Sequence, residues 1–160
     1  MSKSRVNVAA MQTIEVLLIS PLEEDHVSLQ RIFRSSQCPI SGRRNWVIRR
    51  ELTFHAALPV LRKNPITIVV AERDLSPVTW REVLEEIDTL PDPPLLIVTS
   101  RLADERLWAE ALNLGAYDVL AKPFRDDEVV RVLGSAWLHR HREADVQQYG
   151  SLTRRAGANC

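Results

Sequence analysis

The stretch ITIVVAERDLSPVTW, residues 66–80, places acidic side chains at the point where an apolar run ends. Glu72 and Asp74 follow a β-branched run that is typical of a buried strand, and a proline and a new helical pattern come directly after them. Carboxylates at the end of a strand are in a position to hold a metal ion or to take part in catalysis. The stretch therefore marks a candidate acidic site, provided that the rest of the chain forms a sheet around it.

Such a sheet is predicted by the alternation of short apolar runs with amphipathic segments. Strands are predicted at 13–20, 46–51, 66–72, 95–100 and 116–121, and helices at 22–33, 52–64, 80–87, 102–115 and from about residue 126 past His141. Strands that alternate with helices are parallel, and right-handed crossovers place helices on both faces of the sheet. Ligands bind at the carboxyl ends of such strands, which here hold Ser20 and Pro21, Glu72 to Asp74, Thr99 and Ser100, and Lys122.

The length of 160 residues and the average composition suit a single globular domain. Its 21 lysine and arginine residues balance 21 aspartate and glutamate residues, which gives no electrostatic reason to expect nucleic acid or a membrane surface as a partner. Cys38 and Cys160 have no zinc-ligand or redox spacing, and no apolar stretch approaches the roughly 18 residues that span a bilayer. We expect a cytoplasmic protein with a disordered tail at 1–12, a domain at 13–141, and a helix end with a flexible tail at 142–160.

Three segments resemble the receiver domain of bacterial response regulators, the phosphoryl-accepting module of two-component signalling. LNLGAYDVLAKPF, residues 112–124, is similar to that family's Leu-Gly-Ala-x-x-x-Leu-x-Lys-Pro-Phe segment. LLIVTSR, residues 95–101, is similar to its fourth strand, and ERDLSPVTWREVLEEI, residues 72–87, to its phosphoacceptor strand and the helix that follows. The resemblance covers about residues 14–140. It implies a flavodoxin-like, doubly wound three-layer α/β sandwich with a five-stranded parallel sheet of order 2-1-3-4-5 and five helices.

The same resemblance implies roles for residues near the acidic stretch. Thr99 and Lys122 fall on the positions that contact the phosphoryl group, and the peptide bond before Pro123 is expected to be cis. Glu72 stands at the phosphoacceptor position, where the family has aspartate. Asp74 lies two residues farther along, and we expect it in the loop and not as a substitute acceptor.

Other positions depart from the family's pattern. Ser20 and Pro21 stand where two acids bind magnesium, and Val119 stands where the family has its switch aromatic residue. Phosphoryl transfer needs a positioned nucleophile and a divalent ion, and magnesium prefers carboxylate ligands. Glu72 also carries its carboxylate one methylene farther out than aspartate would. We therefore expect no resident metal or other cofactor, magnesium binding that is weak or lost, and inefficient phosphorylation.

The extra length of Glu72 suggests a different role for its charge. The side chain can extend toward Lys122 and form a charge-assisted contact at the place of a phosphoryl oxygen. This hypothesis makes Glu72 and Lys122 a built-in pair that holds the domain in one state. We expect the neighbouring acids Glu23, Glu24 and Asp25 to interact with the dipole of the first helix and not to replace the metal-binding acids.

Histidines and tryptophans have plain structural interpretations in this pattern. His26 is expected to pack in or beside the core, and His139 and His141 to lie on a solvated, basic helix end. Core or boundary positions are expected for the four tryptophans, which are Trp46, Trp80, Trp108 and Trp137.

The predicted function is that of a stand-alone, non-enzymatic, receiver-like module that acts through protein contacts independently of phosphorylation. Its partners would be a histidine kinase, a downstream effector or a second copy, through the face formed by residues 103–140, where Trp108 and Trp137 are the residues of interest. The alternatives are a receiver that a histidine kinase still phosphorylates, a structural dimerisation module and a small α/β enzyme. Against the enzyme, the turn SPLEED lacks the glycines that cradle a phosphate, and the chain has no GxSxG motif.

Overall fold

The computed structural model describes residues 13–35 and 45–156, and within them strands and helices alternate along the chain. The strands are β1 (Thr13–Ile19), β2 (Asn45–Glu51), β3 (Ile66–Glu72), β4 (Leu95–Ser100) and β5 (Asp118–Ala121). The helices are α1 (Glu23–Arg34), α2 (Phe54–Lys63), α3 (Trp80–Asp88), α4 (Glu105–Leu114) and α5 (Asp126–Ala156). The predicted tail at 1–12 and the centre of the loop after α1 lie outside the described residues.

All strand pairs in the sheet are parallel, and the strand order is β2-β1-β3-β4-β5. This order confirms the predicted doubly wound fold. The apolar residues of the interior strands β1, β3 and β4 are buried on both faces because helices pack on each face of the sheet, as their continuous apolar sequences predict. The carboxyl ends of all five strands consequently lie along one edge of the sheet.

Two apolar clusters cover the two faces of the sheet. Helices α1 and α5 pack on one face, where Leu29, Val129 and Leu133 are fully buried. Helices α2, α3 and α4 pack on the other, where Trp80 is 1% exposed. Burial of a side chain of this size contributes roughly 2–3 kcal/mol. These clusters fix the helices relative to the strand ends, and thereby hold the candidate site.

Local signals in the sequence set the helix ends. Thr79 caps α3 with a capping box, in which its hydroxyl accepts from a backbone N–H and the Glu82 carboxylate accepts from the Thr79 N–H. The hydroxyl of Thr53 caps α2, which continues past Pro59. Gly115 ends α4 with a φ of 111°, a left-handed conformation that glycine adopts without a steric penalty.

The structure departs from the sequence-based expectations in the last helix. Helix α5 continues to Ala156, although a helix end and a flexible tail were predicted over 142–160. Trp80 and Trp137 are buried, and the other two tryptophans are half-buried, as predicted. In the part of the chain that the structure describes, no helix has both the length and the apolar character that a membrane span requires.

Candidate functional site

The predicted site residues come from the ends of adjacent strands. Glu72 is the last residue of β3, and Ser20 directly follows β1. Thr99, near the end of β4, is the register partner of Glu72. Lys122 directly follows β5 and donates its backbone N–H to the Ser100 carbonyl over 3.0 Å. The fold thus gathers these side chains at one edge because the strands are parallel and end together.

The ammonium group of Lys122 is the centre of the site. Its Nζ forms an ion pair with Oε2 of Glu72 and a second one with Oδ2 of Asp25, the latter over 2.8 Å. The side chain of Lys122 is only 4% exposed, that of Asp25 5% and that of Glu72 13%. One lysine therefore links the end of β3 to the first turn of α1. The site is largely shielded from solvent, and such contacts are stronger there than at the surface.

Asp25 belongs to this site, which corrects the expectation that it only interacts with the helix dipole. Besides the contact with Lys122, its Oδ2 accepts a hydrogen bond from the Ser20 hydroxyl over 2.6 Å. Glu23 and Glu24, the acids next to it, point to the surface and pair with Arg50 and Arg101. The sequence alone does not show which of these three acidic side chains faces the sheet. An interaction with the helix dipole was therefore expected for all three.

These contacts determine the charge state of Lys122. Burial is the largest single influence and lowers the pKa of the ammonium, because a charge is costly away from water. The hydrogen bonds and charges of Asp25 and Glu72 together outweigh burial, so the pKa of Lys122 lies above its ordinary value of 10.5.

The family resemblance also named Thr99, Val119, Pro123 and Asp74, and these residues have different surroundings in the structure. The Thr99 hydroxyl is buried and donates to the Ala71 carbonyl over 3.4 Å, a long hydrogen bond. Val119 is fully buried in the core cluster on the α4 side of the sheet. The Lys122–Pro123 peptide bond is cis. Asp74 points away, with its side chain 73% exposed and 3.8 Å from Arg73.

The residues present do not fit a magnesium ion. Asp25 and Glu72 are the two carboxylates at the site, and both already accept from the positively charged nitrogen of Lys122. Pro21 has no side-chain oxygen, and Ser20 supplies only a neutral hydroxyl. Among the described residues, no group of three or more histidine, cysteine, aspartate or glutamate side chains is arranged to hold a metal.

Two features beside the centre were not foreseen in detail. His26 is 1% exposed, as predicted for a packed residue; its Nε2 lies 2.8 Å from the Ser20 carbonyl oxygen, and its Nδ1 has no hydrogen-bond partner. The ion pair between Glu24 and Arg101 joins the start of α1 to the loop after β4. Because β3 lies between β1 and β4, this pair spans the end of the strand that carries Glu72.

Comparison with known proteins gives matches among solved structures. No family model matches the chain, and no curated protein matches it. The signal receiver domain of an HD domain-containing protein from Pseudomonas fluorescens Pf-5 is 26% identical, with a TM-score of 0.66 over 88% of this chain and 98% of that chain. A CheY-like response regulator receiver domain from Methanospirillum hungatei JF-1 is 14% identical, with a TM-score of 0.68 over 82% and 99%.

A longer protein also matches. Full-length FixJ from B. japonicum is 21% identical, with a TM-score of 0.70 over 84% of this chain and 63% of the FixJ chain. The chain therefore has the fold of response regulator receiver domains, as the resemblance predicted.

Proposed function

We propose that this receiver-type domain acts in two-component signalling through protein contacts, in a state held by its own charges and not by phosphorylation. One observation carries the proposal: Lys122 pairs with Glu72 at the position that the family uses for the phosphoacceptor. The carboxylate supplies the lysine with a permanent negative partner, so no phosphoryl group is needed for that contact.

The chemistry of the site supports a role without phosphoryl transfer. An acceptor carboxylate has to be free, correctly placed and assisted by a divalent ion, and a misplacement of about 1 Å can cost a hundredfold in rate. The Glu72 carboxylate is engaged with Lys122, and its side chain is only 13% exposed. We therefore propose that the chain is a signalling module and not an enzyme.

The proposed partners are other signalling proteins, either a histidine kinase or a downstream effector, or a second copy of the domain. Two of the solved structures that match are described as receiver domains, which supports a place in such a system. The face formed by residues 103–140 remains the proposed contact surface. Its large exposed apolar residues are leucines, since Leu112, Leu114 and Leu138 are 45%, 52% and 49% exposed.

The tryptophans are less suited to this surface than the sequence suggested. Trp137 is only 6% exposed and stacks on His141, with ring centroids 5.1 Å apart. Trp108 is half-buried against the core. Trp137 therefore has a mainly structural role, and a test of the contact surface has to use the leucines.

The decisive experiment is incubation of the purified protein with acetyl phosphate and magnesium, followed by intact mass measurement. We expect no phosphoryl adduct on the wild type. Glu72→Ala and Asp74→Asn serve as matched variants that identify the acceptor if an adduct forms. An adduct that disappears in either variant overturns the phosphorylation-independent function and shows that the domain is a working receiver.

A further inference from the structure

The ammonium group of Lys122 holds two acids that come from different elements of the fold. Asp25 comes from the first turn of α1, Glu72 from the end of β3 and Lys122 from the residue after β5. Between β1 and α1, only the hydroxyl of Ser20 assists them, by donating to the same Asp25 oxygen that the lysine contacts. This is the arrangement of ligands around a cation, with an ammonium at its centre.

We propose that Lys122 is a tethered cation: Asp25 and Glu72 hold its ammonium where a divalent ion would otherwise bridge the two carboxylates. In this view the second acid of the site has not been lost with Ser20 and Pro21. Asp25, in the first turn of α1, supplies it instead. Replacement of Lys122 by a neutral side chain then converts the cluster into a divalent-metal site.

Distances and chemistry support this assignment. Because both carboxylate oxygens lie within hydrogen-bond reach of one nitrogen, they are no more than about 6 Å apart. A cation with oxygen ligands at roughly 2.0–2.6 Å needs such oxygens only slightly closer together. Ser20 Oγ, 2.6 Å from Asp25 Oδ2, is placed to supply a third oxygen. Magnesium and manganese commonly take one or two carboxylates and complete their coordination with water.

The charges of Asp25 and Glu72 also support the tethered cation. Without the ammonium, two carboxylates with side-chain exposures of 5% and 13% would lie together with no positive partner. Buried charges of one sign are strongly unfavourable and are relieved by binding a counter-ion or a proton. A divalent ion at this point would therefore bind to the variant and stabilise it by mass action.

The test uses Lys122→Met, which keeps an unbranched side chain, with Mn²⁺ as the probe. Electron paramagnetic resonance measures free manganese, and thermal unfolding with and without the ion measures stabilisation. We expect manganese to bind Lys122→Met at least tenfold more tightly than the wild type. The double variant Lys122→Met with Asp25→Asn is the control and should lose this gain. Equal binding by wild type and Lys122→Met would overturn the proposal, as would equal binding by the single and double variants.

A variant that does not fold in the absence of metal is equally informative. In that case millimolar Mn²⁺ should restore the circular dichroism spectrum of Lys122→Met but not that of the double variant, and failure to restore it contradicts the tethered cation. The position of the ammonium is independent of whether the domain signals without phosphate. Acetyl phosphate could therefore label the wild type, overturning the proposed function, while manganese still bound to the lysine variant.

Discussion

The strongest prediction concerns three consecutive acids at the start of α1, which differ in burial but not in their position relative to the helix dipole. Glu24 and its partner Arg101 have side chains that are 61% and 67% exposed. Asp25 has a side chain that is 5% exposed and is bound by Lys122 and Ser20. If these acids served only the dipole, their replacement by alanine would have similar effects. The structure predicts that Asp25→Ala is far more destabilising than Glu24→Ala.

The magnitudes follow from the contacts that each change removes. Glu24→Ala removes a surface ion pair, worth about 0–1 kcal/mol, and a dipole interaction of about 0.3–1 kcal/mol. Asp25→Ala removes two buried hydrogen bonds to a charged group, each worth roughly 1.5–3 kcal/mol. Lys122 keeps Glu72 as a partner, so we expect a loss near the lower limit, about 3 kcal/mol. At about 2–4 °C per kcal/mol for a chain of this size, the melting temperature should fall by roughly 6–12 °C.

Urea unfolding followed by far-ultraviolet circular dichroism measures both variants against the wild type. Asp25→Asn is the matched control, because it keeps the shape and an oxygen acceptor while removing only the charge, and its loss should be intermediate. A free energy of unfolding for Asp25→Ala within about 0.5 kcal/mol of that for Glu24→Ala would refute the buried cluster, since surface substitutions rarely exceed that difference.

Three further predictions concern the same cluster and the proposed contact face. Glu72→Gln keeps an acceptor for Lys122 but removes the charge, so the free energy of unfolding should fall by about 1 kcal/mol. The amide resonances of β5 and α4 should also shift. If no resonance outside the site changes, the Glu72–Lys122 pair does not hold the domain in one state. Because the pKa of Lys122 is raised, its stabilising contribution is complete below pH 10.5 and is lost as the pH rises through the folded-state pKa. Urea midpoints should therefore fall more steeply above pH 10.5 in the wild type than in Lys122→Met, and parallel profiles would contradict the ion pairs. If residues 103–140 form a self-association face, Leu114→Asp should shift the protein to a smaller species in sizing chromatography, while Leu102→Asp, at a leucine that is 72% exposed but outside that face, should not. Coincident elution of all three proteins would exclude this face as the dimer contact.

Much of the fold could be predicted because its signals are local. Continuous apolar runs of six or seven residues indicate strands buried on both faces, and the helical periodicities between them imply parallel crossovers. The capping threonines and Gly115 act within one turn of their helix, so the helix limits agree closely with the sequence pattern. The extension of α5 to Ala156 was not predicted, because the small and polar residues near its end carry no clear periodic pattern.

The site could be predicted only in part, for the same physical reason. The sequence by itself determined that Glu72 and Lys122 lie at the carboxyl ends of parallel strands, and that Ser20 and Pro21 stand at the end of β1 where the resembled family has acids. Only the tertiary structure decided that Asp25, and not Glu23 or Glu24, turns inward and shares the ammonium of Lys122. That choice depends on the rotation of α1 against the sheet, which is set by the packing of residues such as Leu29 and Ile32 and not by the acidic run itself. Glu72 at the end of β3 and Asp25 in α1 are thus the anionic partners of Lys122, a role that depends on contacts between residues 50 and 97 positions apart in the chain.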